Sequence, residues 1–99
     1  FVFDGLNGVD TITDFNGSVD RILLEDFIFT AIGPTLDAGE FVSNSGGIAG
    51  DADDFLLFDT ATGNLYYDAD GTGGVHQSIL IANITVAAGT IDPPDFLII

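Results

Sequence analysis

The sequence has no cysteine, no lysine and a single arginine, Arg21, and each shortage closes off a class of protein. Without cysteine there is no disulfide to staple a small fold and no thiolate zinc site. One basic residue against 16 acidic ones leaves a net charge of −15, which repels nucleic acid and anionic membranes and favours cations as partners. No apolar run reaches the roughly 18 residues of a membrane span, so no membrane insertion is expected. No basic stretch followed by an apolar run marks a cleaved signal peptide either. Histidine occurs once, at His76 in a strand-like run, where a surface or hydrogen-bonded structural role is expected. The four serines, Ser18, Ser43, Ser45 and Ser78, lack the surroundings of an activated nucleophile. A carboxylate pair among 16 acidic residues is expected by chance, so the chain is not expected to be an enzyme.

What is present is a folding composition. The 99 residues are 46% hydrophobic, with a mean hydropathy of +0.44, well outside the range of permanently disordered chains. That length suits one small domain, residues 1–99, with a modest core. Mutual repulsion of the carboxylates weakens folding until something neutralises them. The opening on Phe1 rather than Met leads to the expectation of a piece of a larger protein with further domains upstream.

Short β-branched and aromatic runs bounded by Gly, Asp or Asn predict strands: "FVF" (1–3), "DTITDF" (10–15), "RILLEDFIF" (21–29), "FLLF" (55–58), "LYY" (65–67), "SILIANITV" (78–86) and "FLII" (96–99). "FLLFDTATGNLYY" reads as a hairpin in which Gly63 takes a positive φ. Helix is expected only briefly, around "TLDAGEF" and "TVAAG", and "SNSGGIAGDAD" (43–53) reads as a surface loop within one domain. Tyr66 and Tyr67, being adjacent on a strand, face opposite ways, which puts one of them in the core.

Three stretches carry the functional signal. "GLNGVDTIT" sets Gly5, Gly8, Asp10 and Ile12 at the spacing G-x-x-G-x-D-x-U, with Leu6 where a second Gly would stand. The glycines let a turn fold back so that carbonyls and the Asp carboxylate converge, while the apolar residue anchors the next strand. Asp20 and Ile22 repeat the D-x-U spacing. In "YYDADGTGG", Asp68 and Asp70 stand two apart before Gly71, which suits a hard cation that gathers six to eight oxygens and equally suits a solvated turn. It is not an EF-hand, because no bidentate Glu follows. "DADD" (51–54) has the same ingredients without a following Gly and reads first as a charged loop.

The first of these stretches is similar to the calcium-binding nonapeptide of RTX proteins. Together, "FVFDGLNGVDTITDFNGSVDRILLE", "FLLFDTATGNLYYDADGTGG" and the closing "DFLII" cover nearly the whole chain. They resemble the carboxy-terminal domain of bacterial RTX, or hemolysin-type calcium-binding, proteins exported by type I secretion, and the end of the serralysin β-roll. The resemblance implies an all-β fold, with a short parallel β-roll-like start followed by antiparallel strands forming a β-sandwich or β-roll cap. It also implies Ca2+ held by Asp10, Asp14 and Asp20 with carbonyls near Asn7 and Gly8, and a second ion at Asp68 and Asp70. By the same resemblance Asp95, Phe96, Leu97, Ile98 and Ile99 form an uncleaved signal read by a type I secretion apparatus, and the protein is secreted to the outside of a bacterium. Two other readings stay open: a calcium-dependent adhesion or carbohydrate-binding module, and the non-catalytic tail of a serralysin-like protease or other secreted enzyme.

Overall fold

A computed structural model describes residues 2–3, 9–17, 19–25, 28–32, 36–73 and 78–99. Among these residues eight strands form: β1 (Val2–Phe3), β2 (Asp10–Asn16), β3 (Ile22–Leu24), β4 (Phe41–Asn44), β5 (Leu56–Asp59), β6 (Asn64–Tyr67), β7 (Ile79–Ala88) and β8 (Phe96–Ile98). They form a three-stranded sheet in the order β1-β3-β8 and a five-stranded sheet in the order β2-β7-β6-β5-β4. No α-helix occurs among the described residues, so the all-β expectation holds.

The first three strands alternate between the sheets, and β1 and β3 pair in parallel, Val2 opposite Leu23 and Phe3 opposite Leu24. This is the coil-like start expected from the sequence. Parallel pairing is not confined to it, however: β3 with β8, β2 with β7 and β4 with β5 are parallel, while β5-β6 and β6-β7 are antiparallel. One apolar cluster joins the two sheets, with Ile12 and Phe15 from β2, Ile22 and Leu24 from β3, Leu56 and Phe58 from β5, Leu65 and Tyr67 from β6, and Phe96 from β8.

Local chemistry explains most of these elements. Strict alternation along β2 would send Phe15 to the face opposite Ile12, yet both are buried. A bulge reconciles them: the pairing with β7 advances three residues on β2, from Ile12 to Phe15, against two on β7, from Ile84 to Val86. Between β5 and β6 the turn closes on Gly63, whose φ is +80° and whose N–H donates to the Asp59 carbonyl at 2.7 Å. The Gly63 carbonyl then accepts the Ile84 N–H at 2.7 Å, an approach of backbones that leaves no room for a Cβ.

Three expectations shift. "TVAAG" is strand rather than helix, because β7 runs on to Ala88 and pairs there with Asn16. Among its described residues, the long run 21–29 is strand over Ile22–Leu24 alone. Ile28 and Phe29 then turn back, both donating N–H to the Glu25 carbonyl. Phe29 is fully buried and meets Tyr67 edge-on, with centroids 5.0 Å apart. Finally, Phe41–Asn44, whose end falls in the expected loop, is strand β4, paired with β5.

Candidate metal centre

The second acidic constellation sits on the turn that leaves β6. The Asp68 N–H donates to the Phe55 carbonyl at 2.8 Å, one step beyond the β5-β6 pairs, which holds the turn against the hairpin. The Asp70 N–H then donates to Asp68 Oδ1 at 3.3 Å, curling the chain around the carboxylate. Gly71 follows at φ +55° and opens a single 3-10 turn, Gly71–Gly73. Here glycine is required twice, for its backbone angle and because a Cβ would overlap the Asp51 and Ala52 carbonyls.

That close approach brings the "DADD" loop onto the same turn, where the Thr72 N–H donates to the Asp51 carbonyl at 3.1 Å. Within the loop two of the carboxylates are engaged with the backbone. Asp54 is buried and accepts N–H bonds from Gly50 at 2.6 Å and Asp51 at 3.0 Å, while Asp51 accepts the Asp53 N–H at 2.9 Å. These bonds fold the loop on itself.

Asp68 differs. It is buried, and desolvation, the largest cause, pushes its carboxyl above the ordinary value. The Asp70 carboxyl, within hydrogen-bonding reach, adds to the rise through its charge and its hydrogen bond, against N–H bonds from Asp70 and Gly71. One Asp70 oxygen, Oδ1, is itself buried. Two like charges facing each other away from water are stabilised by a proton or by a cation between them. Hard oxygen donors of this kind fit Ca2+ better than softer metals, with backbone carbonyls or water completing the shell.

The first constellation is more open. Asp10 begins β2 and Asp14 lies on its bulge, both exposed. They stand four positions apart along the strand, roughly 13 Å at about 3.3 Å per residue. Asp20 closes the turn after β2, its Oδ2 accepting the Asn16 N–H at 2.8 Å. Asn7 and Gly8 lie outside the described residues, as does His76. Among the described residues, no three acidic or histidine side chains stand together as a metal-holding group.

At the other end, Asp95 is buried, its Oδ2 accepting the Asp92 N–H at 3.0 Å and its Oδ1 lying 3.8 Å from the Arg21 guanidinium. Phe96 is core, whereas Leu97 and Ile99 are each 49% exposed. In the folded chain the expected signal segment is therefore strand β8 for three of its five residues.

One residue escaped the sequence reading. Asp59 is buried at the end of β5, and N–H donors from Gly46 and Ala61, each at 2.9 Å, hold its carboxyl below the ordinary value. It fastens the 45–50 loop over the outer face of the five-stranded sheet. The available signal was "DTATG", an Asp opening a tight hairpin turn. Beside that loop lies an open hollow of about 560 Å³ lined by Leu57, Tyr66, Asp68 and Thr72 among others. Tyr66 faces it while Tyr67 is core, as their adjacency required.

No helix among the described residues is long and apolar enough to cross a membrane. Compared with family models, curated proteins and solved structures, the chain matches none.

Proposed function

We propose that this chain is a calcium-binding, non-catalytic module that supports type I secretion and calcium-triggered extracellular folding of a larger bacterial protein. The observation that carries the reading is the Asp68–Asp70 pair, two carboxyls within hydrogen-bonding reach, one buried and raised in pKa, on a turn shaped by Gly71. A divalent cation relieves that repulsion, and the net charge of −15 extends the same logic to the whole surface. The alternation of β1, β2 and β3 between two sheets, with β1 and β3 parallel, supports the likeness to the end of a β-roll. In this reading the tail 95–99 is recognised before folding, since folding buries Asp95 and Phe96. Calcium outside the cell then favours the folded state.

The test is calorimetric titration and thermal unfolding with millimolar calcium or with chelator. A site filled to ten times its dissociation constant, and absent from the unfolded chain, contributes about 1.4 kcal/mol. Asp68→Ala or Asp70→Ala should remove the response of one site. Asp10→Ala or Asp20→Ala should weaken a second, and exposed Asp37→Ala should leave both intact. Identical thermal midpoints with calcium and with chelator would defeat the proposal. A glycan screen with and without calcium separates it from an adhesion module, which should bind where an export module should not.

A further inference from the structure

Strand β8 ends the three-stranded sheet, and among the described residues no strand lies beyond it. Its hydrogen-bonding phase is fixed by the Ile99 N–H, which donates to the Leu24 carbonyl at 2.9 Å. Backbone groups alternate sides along a strand, so Leu97 shares that inward direction and Ile98 points its N–H and carbonyl away from β3. The Phe96 carbonyl points the same way as those of Ile98, while the Phe96 N–H is taken by the Pro93 carbonyl. Three backbone groups thus point in a row to the side of β8 on which no described strand lies.

Beside this edge lies a groove of about 540 Å³, lined by Leu36 and Ala38 together with Pro93, Pro94 and Leu97. Its volume lies in the range of sites that hold a ligand. Its lining is largely apolar, but exposed Asp37 stands at its wall and exposed Asp92 adjoins Pro93. The only cationic side chain of the sequence at neutral pH, Arg21, donates to the Asp20 carbonyl and lies against Asp95. The charge offered to a partner is therefore of one sign.

We propose that the β8 edge and its groove bind an extended segment of a partner protein, apolar at alternate positions and flanked by lysine or arginine, which adds to the sheet as a fourth strand. Main-chain hydrogen bonds to Ile98 and Phe96 set its register, the groove takes one apolar side chain, and the acidic rim selects the basic flanks. A second copy of this chain is a poor occupant, because each brings a charge of −15 and an edge of only three residues. The site does not depend on calcium binding.

The probe is a blocked nine-residue peptide, five residues of alternating valine and threonine with two lysines at each end, titrated into the isotope-labelled protein and followed by amide chemical shifts. Saturable shifts centred on Leu97, Ile98 and Ala38 are expected, with at least tenfold weaker binding when glutamates replace the lysines. The same peptide N-methylated at alternate backbone positions should lose binding, a control that leaves the protein unaltered. Ile98→Pro should lose it too, with circular dichroism reporting whether the fold survives. Absence of shifts at millimolar peptide overturns the proposal. So does binding indifferent to N-methylation, which is lysine on surface carboxylates alone, and so does peptide-free dimerisation with shifts at β8, which makes a second copy the occupant.

Discussion

Replacing Gly71 with alanine tests the joint between the two acidic loops. At φ +55° an alanine pays about 1 kcal/mol relative to glycine before any contact is counted. Its methyl would also overlap the Asp51 and Ala52 carbonyls, which are backbone and have no rotamer to escape into. Retreat of the 51–54 loop relieves the overlap only by breaking the Thr72 N–H bond to Asp51, worth roughly 0.5–1.5 kcal/mol. The sum is about 1.5–2.5 kcal/mol, and for a domain of this size each kcal/mol moves the thermal midpoint by roughly 4–8 °C. A fall of roughly 6–20 °C by calorimetry or circular dichroism is expected, together with a weaker response to calcium, because the turn carrying Asp68 and Asp70 has moved. Gly39→Ala is the matched control: no atom lies within 4 Å of its added methyl, and its midpoint should stay near the parent's. Equal midpoints for the two variants would refute the claim that the loops are locked backbone to backbone.

Asp68→Asn should change sign with calcium. A carboxyl raised on folding contributes stability below its ordinary range and loses it as pH rises through the raised value, so at neutral pH with chelator the variant should melt higher than the parent, and with calcium lower. A shift of the same sign in both conditions would argue against cation binding there. Asp59 behaves oppositely: its lowered value contributes stability above the ordinary carboxylate range that is lost as pH falls through the lowered value, so the midpoint gap between parent and Asp59→Asn should close in a series from pH 7 to 2. Phe15→Ala removes a fully buried ring held inward by the β2 bulge and should cost about 3–5 kcal/mol in denaturant unfolding. A loss below about 1 kcal/mol would mean that the bulge does not set the core.

Calcium-linked folding draws support from how this chain spends its carboxylates. Asp54, Asp59 and Asp95 are buried and accept backbone N–H bonds, so their charges are met by amide dipoles and serve the fold. Asp68 is buried and accepts a backbone N–H bond too, but the carboxyl of Asp70 faces it within hydrogen-bonding reach and raises its pKa. The difference lies in partners rather than in burial, and it sets this turn apart from the structural aspartates.

By itself the sequence determined the all-β class and the β5-β6 hairpin, because short apolar runs and turn residues act over a few neighbours. "FLLF" and "LYY" flank a Gly63 turn, and Tyr66 and Tyr67 had to part. The "DADG" turn was legible for the same reason, since Asp68 and Asp70 act within one turn of chain. Only the tertiary structure decided what depends on distant partners. It ran β7 through "TVAAG" because β2 offers a ladder there, and it made β4 from the start of a loop because β5 needed a neighbour. It brought Asp51 against Gly71 across 20 positions and fastened the 45–50 loop to Asp59. Local propensity amounts to tenths of a kcal/mol per residue, whereas a shared ladder and a buried face contribute several, so where the two conflict the long-range packing prevails.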